Sequence, residues 1–184
     1  KDPGAAYYVY ECSDEPGRVT GVVAICPVNV LTGGDEAAAE SIDALATARA
    51  IAEPKVQPRP VSLAYEASPV MDIILSAAKE GASLYAVTDP AGVTHRVWEV
   101  KREDAVAAIR AMLDQAPDPV FAGDSAYVAA LAGASQILAD EARAAGAYSG
   151  KEPFNFAVAV LFPAAQVSGS APQVPTGLLT HQVS

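Results

Sequence analysis

Pro119-Val120-Phe121-Ala122-Gly123-Asp124-Ser125-Ala126-Tyr127 runs without a break into an alanine-rich segment, Val128 to Ala145. A short apolar run, a polar turn with one glycine and then helix-forming residues read as strand, loop, helix. Such a turn brings backbone N–H groups and the positive end of a helix to one point, the usual physical basis for holding a phosphate. Asp124 or Ser125 can serve as the N-cap. No Lys, Arg or His lies between Pro119 and Ile137. The turn therefore has the shape of an anion site without a local cation.

Upstream of it, Val93 to Val100 alternates as a strand, with Val93, His95, Val97 and Glu99 on one face and Thr94, Arg96, Trp98 and Val100 on the other. Ser83 to Val87 is a strand joined to it by the turn Asp89-Pro90-Ala91-Gly92. Glu103-Asp104 opens a helix whose buried stripe is Val106, Ile109, Met112 and Leu113. Ser68-Pro69 starts another, with Ser as N-cap, Pro at the first helical position and Val70, Ile73, Ile74 and Ala77 at helical spacing. Val61 to Tyr65 is a strand, preceded by the three-proline loop Glu53 to Pro60. Asp35 to Ala52 reads as a surface helix with a thin apolar side of Ile42, Leu45 and Ile51. At the start, Ala6 to Glu11 and Val19 to Ile25 make a hairpin that Pro27 ends. Downstream, Phe154 to Phe162, flanked by Pro153 and Pro163, fits a central strand buried on both faces. Gly177 to Val183 ends the chain as a last strand after a polar loop.

The 184 residues suffice for one substantial core or two small ones, and 51% hydrophobic with 18% charged residues is a globular composition. The expected fold class is α+β, one domain over residues 1–184 with a mixed β-sheet and packed helices. A net charge of −10 argues against nucleic acid or an anionic membrane as partner, and no apolar run is long enough to span a bilayer. Cys12 and Cys26 lack the Cys and His companions of a zinc site and read as reduced thiols, with a disulfide as the lesser alternative. With no signal-peptide pattern, a cytoplasmic protein is expected. The opening Lys1-Asp2-Pro3 suggests a piece of something longer.

Several segments, in order, resemble one bacterial and archaeal family catalogued as a domain of unknown function, DUF1015. They are Ala6 to Tyr10, Gly21 to Ala24, Gly92 to Trp98 with its His95-Arg96 pair, Val120 to Ala122 leading into the helix, and Glu152 to Phe162, with Leu179-Thr180-His181 as a further match. The resemblance implies a ParB/sulfiredoxin-like α+β fold, a group that includes an ADP-dependent free-serine kinase. It implies a nucleotide-binding or phosphotransfer role with ADP or ATP and Mg²⁺. The family's signature is an Asp-Gly-His-His-Arg turn opening the long helix. Aligned without gaps, Gly123-Asp124-Ser125-Ala126-Tyr127 stands there, with Asp and Gly exchanged, both His gone and Tyr127 in place of Arg. A phenol donates one hydrogen bond and cannot supply a guanidinium's charged fork. A second charged cluster of the family falls at Thr32 to Arg49, which offers Asp35, Glu36, Glu40, Asp43 and a lone Arg49.

Gly123, Asp124, Ser125, Tyr127, His95 and Arg96 are the candidate cofactor-binding residues on this resemblance. A capped helix after a strand accounts for Gly123 to Ser125 without any ligand. His95 and Arg96 point to opposite sheet faces, so they cannot act as one local pair. Asp35, Glu36, Glu40 and Asp43 could gather one Mg²⁺, although a solvated helix face explains them too. The degraded signature leaves two readings: a diverged nucleotide or small-molecule phosphate binder, or a non-catalytic structural or protein-interaction domain, with a protein partner or a second copy as its ligand.

Overall fold

The computed structural model describes residues 7–13, 17–28, 42–115, 120–121, 125–149, 156–167, 174, 179 and 181–182. Their elements are β1 (Tyr7–Ser13), β2 (Arg18–Pro27), α1 (Ile42–Ala52), β3 (Val56–Gln57), β4 (Val61–Tyr65), α2 (Pro69–Lys79), β5 (Tyr85–Thr88), β6 (Thr94–Val100), α3 (Glu103–Gln115), β7 (Val120–Phe121), α4 (Ser125–Ala144), β8 (Phe156–Pro163) and β9 (His181–Gln182). The class is α+β with a mixed sheet. The chain divides into two compact units, residues 1–24, 62–122 and 160–173 in one and residues 25–61, 123–159 and 174–184 in the other.

The first unit carries a seven-stranded sheet in the order β5-β6-β1-β2-β8-β4-β7, in which the ends of β2, β4 and β8 are counted with the second unit. The β1–β2 hairpin forms as its aromatic and β-branched residues predict, with Tyr10 opposite Gly21 and Glu11 opposite Thr20. On its other edge β1 pairs antiparallel with β6, Glu11 opposite Arg96 and Cys12 opposite His95. β8 lies between β2 and β4, and Val160, Leu161 and Phe162 are buried as expected of an apolar run covered on both faces, whereas Phe156 at the start of the strand is 53% exposed and residues 154–155 lie outside the described residues. The turn after β5 also matches its sequence. Gly92 takes φ +86°, its N–H donates to the Asp89 carbonyl, and Asp89 Oδ1 accepts the N–H groups of Ala91 and Val93.

Two helices in this unit depart from expectation. α2 starts at Pro69, but the Ser68 side chain makes no cap hydrogen bond; its hydroxyl points to Met112 Sδ at 3.5 Å. The buried residues of α2 are Met71 and Leu75, one turn apart, while Val70 and Ile73 of the expected stripe are exposed. Val70, Ile73, Ile74 and Ala77 instead line a groove of about 520 Å³ shared with α3. In α3, Ile109 alone of its expected stripe is fully buried.

In the second unit α1 packs on α4, contrary to the surface position expected from its few large apolar residues. Ala48, Ile51 and Ala52 are buried, and a Cβ on Gly133 of α4 would lie 2.9 Å from the Ala48 methyl. Small side chains let the two backbones approach, so alanine supplies the contact that a count of large residues misses. The proline loop contains the short strand β3, which pairs antiparallel with β9. Residues 35–41 lie outside the described residues. Among the described residues no helix is long and apolar enough to cross a membrane.

Candidate functional site

Of the six candidate binding residues, Gly123 and Asp124 lie outside the described residues, and Ser125 opens α4 with its side chain also outside them. Tyr127, in the first turn of α4, is buried. Its hydroxyl donates to the carbonyl of Arg59, and the Arg59 N–H approaches the same hydroxyl at 3.4 Å. The Arg59 guanidinium carbon lies 4.0 Å from the centre of the Tyr127 ring, a cation–π contact. A cation therefore does stand at the head of this helix. It comes from the proline loop, which a local reading of residues 119–137 cannot reveal.

Gln57 fixes that loop. Its Nε2 donates to the carbonyls of Arg59 at 2.8 Å and Val158 at 2.9 Å, and its Oε1 accepts the Val158 N–H at 2.7 Å. The side chain is wholly buried with both ends of the amide bonded. Burying an amide is costly unless it is paired in this way.

His95 and Arg96 take opposite faces of β6, as alternation predicts. His95 is 1% exposed. Its Nδ1 lies 2.7 Å from the Tyr10 hydroxyl, and its Nε2 lies 3.3 Å from Asp89 Oδ2. The assignment that satisfies both contacts places the proton on Nε2, facing the carboxylate, while Nδ1 accepts the phenol's proton. Burial, with the neighbouring Cys12 and Asp89, pushes the Tyr10 phenol well above its ordinary pKa, so it stays a donor. The Tyr10 ring also stacks on His95 and meets Phe162 edge-on. Enclosed in this way, His95 orders the sheet interior and is not presented to solvent.

Asp89 anchors that chain from the turn. The Val93 N–H holds its carboxyl below the usual carboxylate pKa range, with His95 and the Ala91 N–H adding to the effect. A depressed folded-state pKa gives stability that is present above the unfolded value, about 3.9, and is lost as pH falls through the folded value. Wild-type protein should therefore lose stability with acid more steeply below about pH 4 than Asp89→Asn, whose amide oxygen can still accept both turn N–H groups. Urea midpoints measured across that range test this; parallel curves would remove Asp89 from the account.

On the other face, Arg96 joins a cluster that sequence reasoning did not foresee. Glu11 stands in β1, its side chain 3% exposed. Lys79 Nζ lies 3.1 Å from Glu11 Oε2, Arg18 Nε lies 3.7 Å from the same oxygen, and Arg96 Nη1 lies 3.4 Å from Oε1. Lys79 also donates to Thr20 Oγ1 at 3.1 Å, and the Thr20 N–H donates to Gln166 Oε1 at 3.1 Å. Sheet register brings β1, β2 and β6 together here, and the last turn of α2 delivers Lys79. One signal was available: alternation puts Glu11 on the face shared by buried Val9, where a carboxylate needs partners.

The remaining groups are simpler. Neither Cys12 nor Cys26 is in a disulfide, and burial pushes the Cys26 thiol up to about 11. Among the described residues no three His, Cys, Asp or Glu side chains are placed to hold a metal ion. Asp35, Glu36, Glu40 and the side chains of Asp43 and His181 lie outside them.

No curated protein matches this chain, and no solved structure does. One family model does match, over residues 1–168, which include the hairpin, the His95-Arg96 strand, the head of α4 and β8. The chain thus belongs to the family described as protein of unknown function, DUF1015.

Proposed function

We propose that this chain binds a nucleotide of the ADP or ATP type, or another phosphate-bearing small molecule, with the phosphate at the first turn of α4. This reading keeps the ParB/sulfiredoxin-like character that the sequence suggests and treats phosphotransfer chemistry as degraded. The observation that supports it is the Arg59 guanidinium seated over Tyr127. A fixed guanidinium and the positive end of a 20-residue helix both favour an anion at that turn. Gln57 and the Tyr127 hydroxyl hold the loop that carries it, so little ordering is left to the ligand.

A second reading, a non-catalytic structural or protein-interaction domain, is favoured by how the signature residues are used. Tyr127 and His95 are both buried and spend their polar atoms on neighbouring groups of the protein.

Calorimetric titration of the full chain with ADP, ATP and CTP, with and without Mg²⁺, separates the two. Arg59→Gln is expected to weaken nucleotide binding about tenfold or more, the loss of one charge-assisted contact, and Tyr127→Phe by less because the ring remains. Equal affinity in Arg59→Gln, or no heat from folded wild-type protein, would reject the α4 site and leave the second reading.

A further inference from the structure

We infer that the face of the first unit's sheet carrying Glu11 holds an anion site of its own, for a phosphate dianion or phosphate monoester gripped by Arg96, Lys79 and Arg18. In a chain of net charge −10, three of the twelve Lys and Arg side chains converge on one carboxylate. Among the described residues three positive charges meet one negative charge, and the carboxylate is the member buried from water. The cations grade outward: Lys79 is 23% exposed, Arg96 39% and Arg18 64%. Glu11 thus holds the inner ends of the cations, and their outer donors face solvent with a surplus of positive charge.

The donor chemistry fits a phosphate. Arg96 and Arg18 are planar multi-donor groups suited to its oxygens, and Lys79 adds a point charge. Thr20, itself buried, accepts from Lys79 through its hydroxyl oxygen and so helps to fix the ammonium beside Glu11. A buried counter-carboxylate also tunes the site: it prevents permanent anion capture by reducing the surplus charge. Lys79 and Arg96 are the principal contacts because they are the less exposed pair, and Arg18 is the outer one. This site does not depend on Arg59, so the two proposals fail separately.

Inorganic phosphate, sulfate and glycerol phosphate are the probes, each titrated into the full chain at low ionic strength. Saturable phosphate binding is expected in the millimolar range or tighter. Arg96→Gln and Lys79→Gln should each weaken it about tenfold or more, Arg18→Gln by less, and Arg59→Gln not at all. Glu11→Gln should tighten it, since removing the carboxylate raises the surplus charge. Glycerol phosphate binding as well as phosphate would assign a phosphomonoester, and phosphate alone the free ion.

Should the Lys79 or Arg96 variant fail to fold, wild-type protein still decides the matter. Phosphate should protect Lys79 from acetylation, read by mass spectrometry, several-fold more than sodium chloride of equal ionic strength does. No saturation below about 10 mM phosphate, or binding that survives Arg96→Gln unchanged, or Lys79 labelling indifferent to phosphate, would overturn the site.

Discussion

Gly21→Ala lowers the melting temperature by roughly 3–10 °C, a loss of about 1–3 kcal/mol for one added methyl group. In β2, a Cβ at Gly21 would stand 2.8 Å from each of three atoms of β8: the Leu161 carbonyl oxygen, Phe162 Cδ1 and Val160 Cγ1. Phe162 and Val160 are wholly buried, and the carbonyl belongs to a central strand of the sheet, so none can yield without moving the strand. Glycine in a strand interior ordinarily weakens it, and here close approach explains why it is kept. Gly133→Ala is the control. There the methyl would meet, among the described residues, the Ala48 methyl at 2.9 Å, two helices can part slightly, and alanine recovers about 1 kcal/mol of helix propensity. Thermal melts of both variants decide the point: a Gly21→Ala melt within about 1 °C of wild type would mean that β2 and β8 can separate freely.

Strand alternation made the most of the sheet legible. It set His95 and Arg96 on opposite faces, and the structure gives each its own polar cluster. The same periodicity, applied to β1, would have placed Glu11 beside Val9. What it could not supply was the partners. Arg18, Lys79 and Arg96 lie 7, 68 and 85 residues from Glu11, and only sheet register and the end of α2 bring them together. The helices were less legible for a different reason. α1 packs through alanine, which carries no strong amphipathic signal, and α2 has two apolar faces, of which Met71 and Leu75 won the interior. Arg59 was missed because the cation at the head of α4 comes from a loop 68 residues away from Tyr127. Local motifs report local charge; this chain recruits its charges through the fold.

Glu11→Ala should cost about 2–3 kcal/mol, read as a shift in the urea midpoint with an unchanged slope. Removing one partner of a buried ion pair typically costs about 3–5 kcal/mol because the other charge is left uncompensated. Here the orphaned charges are the cations, and two of them can turn to water: Arg18 and Arg96 are 64% and 39% exposed, which lowers the expected loss. Lys79 is the one most affected, at 23% exposure, though Thr20 Oγ1 still accepts from it at 3.1 Å. Glu11→Gln should lose less than Glu11→Ala, since the amide keeps the shape and one acceptor for Lys79. Glu11→Met combined with Lys79→Met should recover most of the loss, because the pair then leaves no unmatched charge in the interior. Half-molar salt should barely change the wild-type midpoint through this cluster, since a carboxylate 3% exposed is poorly screened. If Glu11→Ala moved stability by less than about 0.5 kcal/mol, the cluster would behave as a set of surface ion pairs, and Glu11 would not be what holds the cations in place.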